Sequence, residues 1–471
     1  MSDAEQYEIL ILGSGEAAKN VAWLLAKEGR RTAIIERGLI GGSCPNIACL
    51  PSKNVIYSGR VAALARRGAE FGLTEGPVSV DMLGVRSRKR RMVEDLISVH
   101  RKNFAGSGAE LIMGEGKFVD SRTIEVSLRE GGVRTLTGER VYIGVGTRAA
   151  IPNIPGLREC APLTHVEALE LGYVPEHLIV LGGGDVGLEF AQPMRRFGSR
   201  VTIVEQGAQL APREDDDVGA AIRQRFTEDG IAVLVGTQAV QVEGRSGDGV
   251  VMHVRTAAGA QSIKGSDLLV AAGRTPNTSE IGLQSAGIEV DTRGYVKVNE
   301  RLETSARNVW AMGDCAGSPQ FTHVGYDDFR VIRDNLRGHA RTTLGRLVPY
   351  CTFTDPELGR VGLSETAAKK AGVAYRVAKV PLAAVLHTRT TSEPFGFLKA
   401  LIAADSDLIL GFAALGEGAG DLAAIVQTAM LADAPFTVLR DALFSHPTMA
   451  EGFTVLFATE PLSPQLDAKG H

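Results

Sequence analysis

Residues 8–36, EILILGSGEAAKNVAWLLAKEGRRTAIIE, decide the fold of the first part of this chain. They form a buried-strand pattern, a glycine-rich turn, an amphipathic helix pattern over 16–27 and a second strand pattern ending on Glu36. This order predicts a βαβ unit that binds a dinucleotide, because the turn glycines let the backbone approach a pyrophosphate at the helix N-terminus. Glu36 would accept a ribose hydroxyl. The small residues of the turn are Gly13, Gly15 and Ala18, with alanine in the place of the third glycine.

The same pattern recurs at residues 178–205, where the second strand again ends on an acid, Glu205. Two such units in one chain predict two bound dinucleotides. Glu205 favours NADH, because a carboxylate there bonds the 2′-hydroxyl and repels a 2′-phosphate. Arg200 and Arg213 lie nearby in the sequence, so use of NADPH stays open. The glycines of this second turn are Gly182, Gly184 and Gly187.

Residues 41–53, GGSCPNIACLPSK, place two cysteines five positions apart. A regular helix would separate Cys44 and Cys49 by ~7.5 Å along its axis, beyond the ~7 Å Cα separation that a disulfide tolerates. Pro45 and Pro51 also disfavour a regular helix here. The two thiols can therefore pair only if the loop is distorted, and a distorted disulfide is easily reduced. The alternative is that they are two structural cysteines in a turn.

The cysteine segment resembles the redox motif of the flavin-dependent pyridine nucleotide-disulfide oxidoreductases, a family that includes dihydrolipoamide dehydrogenase, glutathione reductase and mercuric reductase. Further motifs of this family recur from about Tyr7 to Phe457, at residues 144–148, 271–277, 304–314, 349–362 and 446–451. The resemblance implies an α/β fold with two Rossmann-like dinucleotide-binding domains, for FAD and NAD, plus a C-terminal α+β dimerisation domain. The expected segments are 1–155 (first part of the FAD-binding domain, with the redox disulfide), 156–280 (NAD(P)H-binding domain), 281–345 (second part of the FAD-binding domain) and 346–471 (interface domain, an antiparallel sheet with helices, including one over 421–432).

By the same resemblance, the cofactor-binding residues lie in the two glycine turns and in the motifs that close the two nucleotide domains. Those expected to bind FAD are Gly13, Gly15, Ala18, Glu36, Gly42, Ser43, Lys53, Gly146, Thr147, Arg274, Gly313 and Asp314, and those expected to bind NAD are Gly182, Gly184, Gly187, Glu205 and Gly273. No resident metal ion is expected.

The resemblance implies an enzyme that passes electrons from NADH through FAD to a Cys44–Cys49 disulfide and on to a small disulfide or dithiol. Lipoamide is the reference substrate. Cys49 would rest against the flavin, and Cys44 would meet the substrate. Lys53 matches a lysine placed near flavin N5, and Glu189 matches its ion-pair partner. A homodimer is expected, because the active sites of this family are shared between two subunits.

His446 and Glu451 resemble the acid–base motif near the C-terminus of the family. The histidine would reach across the dimer to the partner's cysteines, lower a thiol pKa as a cation and protonate the leaving thiol. Glu451 would orient the imidazole ring. Taken alone, residues 446–451 would be a His-Pro turn before a helix.

Two residues depart from the family pattern. Asp185 stands where relatives usually carry an apolar or tyrosine residue near the nicotinamide, so its carboxylate could weaken NADH binding or alter the gating of the nicotinamide pocket. Pro193 falls inside the helix predicted over 185–197, where it removes a hydrogen bond and should kink the chain.

The substrate is open between several classes. The chain ends without the C-terminal cysteine pair with which mercuric reductases capture metal, yet residues 321–330 and 448–452 look closer to the mercuric-reductase-like branch. One alternative is therefore a metal-ion (Hg or Cu) reductase that holds a soft ion at Cys44 and Cys49. A second alternative is a flavoprotein that senses NADH without sustained turnover.

Composition limits the partners. The formal net charge is −4 with 23% charged residues, which gives no bulk attraction to nucleic acid or anionic membranes. No apolar run approaches the ~18 residues needed to cross a bilayer, and no signal peptide is visible, so a cytoplasmic protein without membrane or nucleic-acid partners is expected. The basic run at 86–91 is predicted to be the solvated face of a helix between Val80 and Phe104.

Overall fold

The computed structural model describes residues 4–74, 76, 78–459 and 461–462. The α-helices are α1 Glu16–Lys27, α2 Ser43–Asn46, α3 Cys49–Arg66, α4 Met82–Ser107, α5 His165–Ala168, α6 Asp185–Phe197, α7 Asp216–Glu228, α8 Thr322–Leu336, α9 Glu365–Ala371, α10 His387–Thr391, α11 Ala419–Leu431, α12 Phe436–Asp441 and α13 Gly452–Ala458. The strands are β1 Glu5–Leu12, β2 Thr32–Glu36, β3 Glu110–Asp120, β4 Thr123–Leu128, β5 Val133–Ile143, β6 Thr147–Ala149, β7 His177–Leu181, β8 Arg200–Val204, β9 Ala232–Leu234, β10 Gln238–Arg245, β11 Gly249–Thr256, β12 Gly259–Gly265, β13 Asp267–Val270, β14 Arg274–Pro276, β15 Val309–Ala311, β16 Tyr350–Thr352, β17 Glu357–Gly362, β18 Tyr375–Pro381, β19 Phe397–Ala403 and β20 Ile409–Gly416. Among these described residues, no helix combines the length and the apolar character needed to cross a membrane.

The first sheet is built from two separate segments of the chain. Its parallel strands run in the order β3-β2-β1-β5-β15, and β4 pairs antiparallel with both β3 and β5. Every residue of β2 is buried, as expected for a strand covered on both faces. Because β15 joins only after the second nucleotide-type unit, the first unit is completed late in the chain.

The second sheet has the parallel order β13-β7-β8-β9 and carries the second glycine turn between β7 and α6. An antiparallel sheet of β10, β11 and β12 lies in the chain between β9 and β13. The C-terminal unit is an antiparallel sheet in the order β16-β17-β20-β19-β18, and α11 begins two residues before the helix predicted over 421–432. The predicted fold class is confirmed.

The two glycine turns share one geometry. Gly13 and Gly182 both have positive φ, +91° and +114°, and a Cβ on either would lie 2.4–2.5 Å from a backbone carbonyl oxygen. At the third small position the units differ: a Cβ on Gly187 would lie 2.0 Å from a carbonyl oxygen, so only glycine fits there. Ala18 is tolerated because Gly144, facing it, has no side chain; a Cβ on Gly144 would lie 2.8 Å from that of Ala18.

Helix α6 confirms the bounds predicted over 185–197 and continues past Pro193. The proline packs against α3 at Gly59, where an added Cβ would lie 2.8 Å from the Cβ of Pro193. The proline and the glycine together let α3 and α6 approach closely. The predicted kink stays a prediction.

The basic run at 86–91 lies on α4, but the prediction of a solvated face is wrong for Lys89. Lys89 is only 2% exposed and its ammonium group pairs with Glu170, which also accepts a hydrogen bond from Arg90 Nε at 2.8 Å. A charged lysine can be buried there because a carboxylate on a neighbouring segment compensates it. Arg91 remains exposed.

A buried lysine joins the second nucleotide-type unit to the C-terminal sheet. Lys399 on β19 is 1% exposed, and its Nζ donates to carboxylate oxygens of Asp215 at 2.9 Å, Asp217 at 2.7 Å and Glu365 at 3.2 Å. Burial raises the pKa of Asp215, but backbone N–H donors and Lys399 outweigh this effect and lower the pKa to about 2. Since that pKa is depressed in the folded chain, the stabilisation is present at neutral pH and is lost as the pH falls from about 4 toward 2.

Replacing Lys399 by Met is expected to lower the free energy of unfolding by about 3–5 kcal/mol, because three neighbouring carboxylates lose their shared cation. The matched control is Lys379→Met, which removes a 40%-exposed partner of Asp217 and should cost at most about 1 kcal/mol. Urea unfolding of the flavin-loaded protein, followed by circular dichroism, measures both. Equal losses of unfolding free energy in the two variants would show that the buried network around Lys399 stabilises the fold no more than an exposed ion pair does.

Candidate active site

One cavity of about 1640 Å³ joins both glycine turns to the cysteine segment. The predicted site residues that line it are Gly15, Ala18, Ser43, Cys44, Cys49, Lys53, Gly146, Gly182, Gly184, Glu189, Glu205, Gly273, Arg274, Gly313 and Asp314. Gly13, Glu36, Gly42, Thr147 and Gly187 lie outside this lining. Most of the predicted cofactor-binding and redox residues therefore meet in one space.

The cysteine segment is distorted between its two thiols. The short helix α2 ends at Asn46, Ala48 adopts φ −130° and ψ −108°, and α3 begins at Cys49. Pro51 lies in the first turn of α3, where proline is tolerated because the N–H it lacks has no helical partner. Cys44 and Cys49 are half-buried free thiols in the structure. The break removes the helical spacing that would have kept the two thiols apart.

The two thiols differ in their electrostatic surroundings. A hydrogen bond with Cys44 is the largest cause of a lowered pKa at Cys49, and Thr322 and Lys53 lower this pKa further against the effect of burial. The same hydrogen bond raises the pKa of Cys44, and burial and the negative charge of Glu16 act in the same direction. The negative charge of a reduced pair therefore resides on Cys49.

Thr322 is a site residue that sequence reasoning missed. It is the first residue of α8, and its Oγ1 lies 3.2 Å from Cys49 Sγ. A hydroxyl at this distance can donate a hydrogen bond to a thiolate and so favour ionisation. No spacing in the sequence connects residue 322 with residue 49; only the fold brings them together.

Lys53 and Glu189 form the predicted ion pair, with Lys53 Nζ 2.7 Å from Glu189 Oε2. Glu189 is buried on α6, and its other oxygen accepts a hydrogen bond from the backbone N–H of Phe353 at 2.9 Å. Lys53 Nζ also lies 4.7 Å from the centre of the Phe353 ring. The pair thus connects α3, α6 and the loop after β16.

A second cluster lies where the two segments of the first unit meet. Thr147 Oγ1 donates to Asp314 Oδ2 at 2.6 Å, and Arg274 Nε donates to Thr147 Oγ1 at 2.7 Å. Arg274 also lies 3.8 Å from Asp314, so charge and hydrogen bonding fix this carboxylate at the cavity wall. His165 lines the cavity nearby and is buried, and burial lowers its pKa to about 4. Its Nε2 has no hydrogen-bond partner among the described residues. The sequence offered no signal for His165.

The two acids at the strand ends anchor the loops around the glycine turns. Glu36 Oε2 accepts from the backbone N–H and the hydroxyl of Ser14 at 3.0 and 2.7 Å. Glu205 accepts from the N–H groups of Gly183 at 2.7 Å and Gly207 at 2.6 Å. Their predicted contacts with ribose hydroxyls stay predictions.

The residues present fit two dinucleotides. The N-cap residues of α1 and α6 are Gly15 and Gly184, so within the described chain neither helix has a side-chain cap at its N-terminus. A Cβ added at Gly184 would meet no atom within 4 Å, and one at Gly15 would meet only a carbonyl oxygen at 3.6 Å. Open space before an uncapped helix N-terminus suits a pyrophosphate, and the structure offers this arrangement twice.

His446 and Glu451 lie together but outside the cavity lining of the described chain. His446 Nδ1 is 2.8 Å from Glu451 Oε1, and Glu451 Oε2 accepts from the N–H of Thr448 at 3.0 Å. The Thr448 N–H and then His446 lower the pKa of Glu451, which keeps it ionised beside the ring. The His446 side chain is 63% exposed. One chain alone therefore does not bring His446 to its own cysteines.

Comparisons with known proteins identify the family. Residues 7–328 match the pyridine nucleotide-disulphide oxidoreductases, and residues 348–456 match their dimerisation domain. This chain belongs to that family. Its members are FAD-containing flavoproteins that use NAD(P)H, and the dimerisation domain supports a homodimer. The predicted family and cofactors are confirmed.

Three relatives illustrate which proteins of this family the chain is similar to. RclA of Escherichia coli, described as a probable pyridine nucleotide-disulfide oxidoreductase, is 32% identical over 96% of this chain and 99% of its own length. A mercuric reductase of Staphylococcus aureus is 32% identical over 96% of this chain and 82% of its own length, and a dihydrolipoamide dehydrogenase of Chaetomium thermophilum is 31% identical over 95% and 89%. A solved Cu(II) complex of RclA superimposes with a TM-score of 0.88 at 32% identity, covering 96% of this chain and 99% of that one.

Replacing Thr322 by Val is expected to raise the pKa of Cys49 by roughly half a unit to one unit, because the thiolate loses a hydroxyl donor. The pKa of Cys49 is lowered in the wild type, so its alkylation should already be fast below pH ~8.5, the usual value for a thiol. In the variant, the pH of half-maximal alkylation should move upward. The measurement is the alkylation rate of Cys49 in the reduced, flavin-loaded protein, followed by mass spectrometry.

The control for this shift is Thr322→Ser, which keeps the hydroxyl and should titrate like the wild type. Coincident curves for the Val and Ser variants would show that the Thr322 hydroxyl does not stabilise the thiolate.

Proposed function

We propose that this chain is an FAD-dependent NADH:disulfide oxidoreductase in which Cys44 and Cys49 form the redox-active pair and a small disulfide is the substrate. The observation that carries the proposal is that the two thiols line the same cavity as both glycine turns, with Cys49 set between Thr322 and Lys53. A structural cysteine pair would gain nothing from this position. Glu205 supports NADH over NADPH, because its carboxylate would bond the ribose 2′-hydroxyl and repel a 2′-phosphate.

The two cofactors would occupy the parts of the cavity that adjoin the N-termini of α1 and α6. The flavin, when bound, would accept a hydride from the nicotinamide and supply an electron pair to the cysteines. The lining residues Gly15, Ser43, Gly146 and Asp314 would hold FAD, and Gly184, Glu205 and Gly273 would hold the nicotinamide dinucleotide. The segment bounds given above, with units ending near 155, 280 and 345, are part of this proposal.

The dithiol carries the electron pair to the substrate by thiol–disulfide exchange. Cys44 as a thiolate attacks one sulfur of the substrate disulfide, forms a mixed disulfide and releases the first substrate thiolate. Cys49 then attacks Cys44 Sγ, which forms the Cys44–Cys49 disulfide and releases the second substrate thiolate. Two protons end on the two substrate thiols: one is that of Cys44, and the other comes from solvent, because Cys49 is already ionised in the reduced pair. The raised pKa of Cys44 means that the first attack needs a base.

His446 of the partner subunit would be that base, with Glu451 orienting the ring. In the described chain His446 is exposed and outside the cavity, and the outward face of α3 carries exposed apolar side chains at Leu50, Tyr57 and Val61. An apolar helix face next to the cysteine segment fits an interface between two copies of the chain. A cytoplasmic setting fits the reaction, because a working dithiol needs a reducing compartment.

Purified, flavin-loaded protein is expected to reduce lipoamide with NADH at a kcat/KM above ~10⁴ M⁻¹s⁻¹, the range of a competent enzyme. Cys44→Ser should keep the bleaching of the flavin by NADH and lose at least about a thousandfold in lipoamide turnover, since the attacking thiol is gone. Cys351→Ser is the control, because Cys351 lines another part of the same cavity. Retained turnover in Cys44→Ser would overturn the mechanism, and flavin bleaching without turnover of any acceptor would favour an NADH sensor.

Mixing two inactive variants tests whether the site is shared between subunits. Cys44→Ser and His446→Gln proteins, exchanged into random dimers, should recover about a quarter of wild-type activity. Half of the dimers are mixed, and each mixed dimer holds one site with an intact dithiol and an intact histidine. Lipoamide reduction before and after subunit exchange measures this recovery. If the histidine serves its own chain, mixing restores nothing.

A second candidate function is the reduction of a soft metal ion held between Cys44 and Cys49. The specific support is that RclA has been solved as a Cu(II) complex and that mercuric reductases are among the relatives. Two adjacent thiolates are suitable ligands for such ions. In this case NADH oxidation should depend on Cu(II) or Hg(II), while lipoamide turnover should be near zero.

A further inference from the structure

Asp185 places its carboxylate at the helix N-terminus where the dinucleotide site would favour the anionic pyrophosphate. It is the first residue of α6 and follows Gly184, so it lies at the helix N-terminus that would meet the pyrophosphate. A negative side chain beside a phosphate is unfavourable by like-charge repulsion. A cation must therefore balance the negative charge of the Asp185 carboxylate or that of the phosphate, or pair first with one and then with the other.

Arg213 is the cation that faces Asp185. Its Nη2 pairs with Asp185 Oδ2, while Thr352 Oγ1 donates to Asp185 Oδ1 at 2.9 Å. Arg213 and Asp185 both line the cavity, together with Gly184 and Glu205. The ion pair therefore connects the loop after β8 with the start of α6, beside the space proposed for the dinucleotide.

Arg213 does not need this contact to anchor its own loop. The next residue, Glu214, is buried and accepts from Arg360 Nη1 at 3.2 Å, and Asp215 is bound to Lys399 at 2.9 Å. The Arg213 side chain itself is 71% exposed. The loop is thus fixed from behind, and the guanidinium group is free to change partner.

We propose that Arg213 binds the pyrophosphate of the nicotinamide dinucleotide, and that Asp185 holds Arg213 in the empty site and competes with the phosphate for it. A guanidinium group binds phosphate oxygens with paired hydrogen bonds, so the exchange keeps its charge compensated. Asp185 remains hydrogen-bonded to Thr352 after the exchange. Asp185 then sets the affinity for the dinucleotide by competing with it for Arg213. This competition would be the function of an aspartate at a position where relatives carry an apolar or tyrosine residue. The inference rests on the proposed dinucleotide site at α6.

The test is the dissociation constant of NAD⁺ and of NADP⁺ for the oxidised, flavin-loaded protein, measured by calorimetry, which needs no turnover. Asp185→Asn keeps the acceptor for Thr352 and removes the competing charge, so binding should tighten about twofold to fivefold. Arg213→Gln should weaken binding by a similar factor, about twofold to fivefold, because the phosphate loses its cation. The loss on replacing Arg213 should be larger in the Asp185→Asn background than in the wild type, since Asp185 no longer withholds the arginine.

Matched controls come from a second exposed ion pair that lies outside the cavity lining. Arg337 and Glu28 approach to 3.2 Å, so Arg337→Gln and Glu28→Gln change the net charge equally without touching the site. Both should leave binding unchanged. Unchanged affinity in Arg213→Gln, or a change confined to NADP⁺, would overturn the inference, the latter because the pyrophosphate is common to both dinucleotides. Absence of any dinucleotide binding in the wild type would instead refute the proposed function.

Discussion

The ion pair between Lys53 and Glu189 is the interaction on which the arrangement of the site depends. Lys53 lies one helical turn after Cys49 on α3, and Glu189 lies one turn after the second glycine turn on α6. The backbone N–H of Phe353, after the first strand of the C-terminal sheet, shares the same carboxylate. One buried carboxylate therefore sets the separation between the redox cysteines, the nicotinamide-side helix and the C-terminal unit. Removing Lys53 would leave the buried carboxylate of Glu189 without its cation, at a cost of about 3–5 kcal/mol.

Around this contact, hydrogen bonding and charge distinguish two chemically identical thiols. The hydrogen bond between the two thiols is the largest cause, since it lowers the pKa of Cys49 and raises that of Cys44. The charge of Lys53 lowers the pKa of Cys49 further, and the charge of Glu16 raises that of Cys44 further. The separation of roles that the family resemblance implies, one thiol beside the cofactor and one toward the substrate, thus has a physical counterpart in this chain.

The sequence predicted the fold well because the deciding patterns are local. The glycine turns with their flanking strands, the helices at 16–27 and 185–197, and the break between Cys44 and Cys49 all follow from residues close together in the chain. Contacts between distant segments were not predictable. Thr322 and His165 reach the cavity only through the fold, and Lys89 is buried only because Glu170 happens to face it. The ion pair of Asp185 with Arg213 is another contact that the sequence could not predict. The glycine-turn pattern identifies Asp185 as unusual but does not indicate which residue pairs with it.

The helix that begins at Cys49 also connects the redox chemistry with dimerisation. Its buried side carries Pro51, Val55 and Gly59. Its other side exposes Leu50, Tyr57 and Val61 to solvent in the single chain, and Lys53 lies on that side between Leu50 and Tyr57. If a second copy covers this apolar face, it covers the residue next to Cys49, and a histidine from that copy can reach the pair. A thiol with the raised pKa of Cys44 attacks slowly unless a base lies beside it. Dimerisation would then supply both the burial that α3 lacks and the base that Cys44 lacks, so the isolated chain is incomplete in packing and in chemistry at the same place.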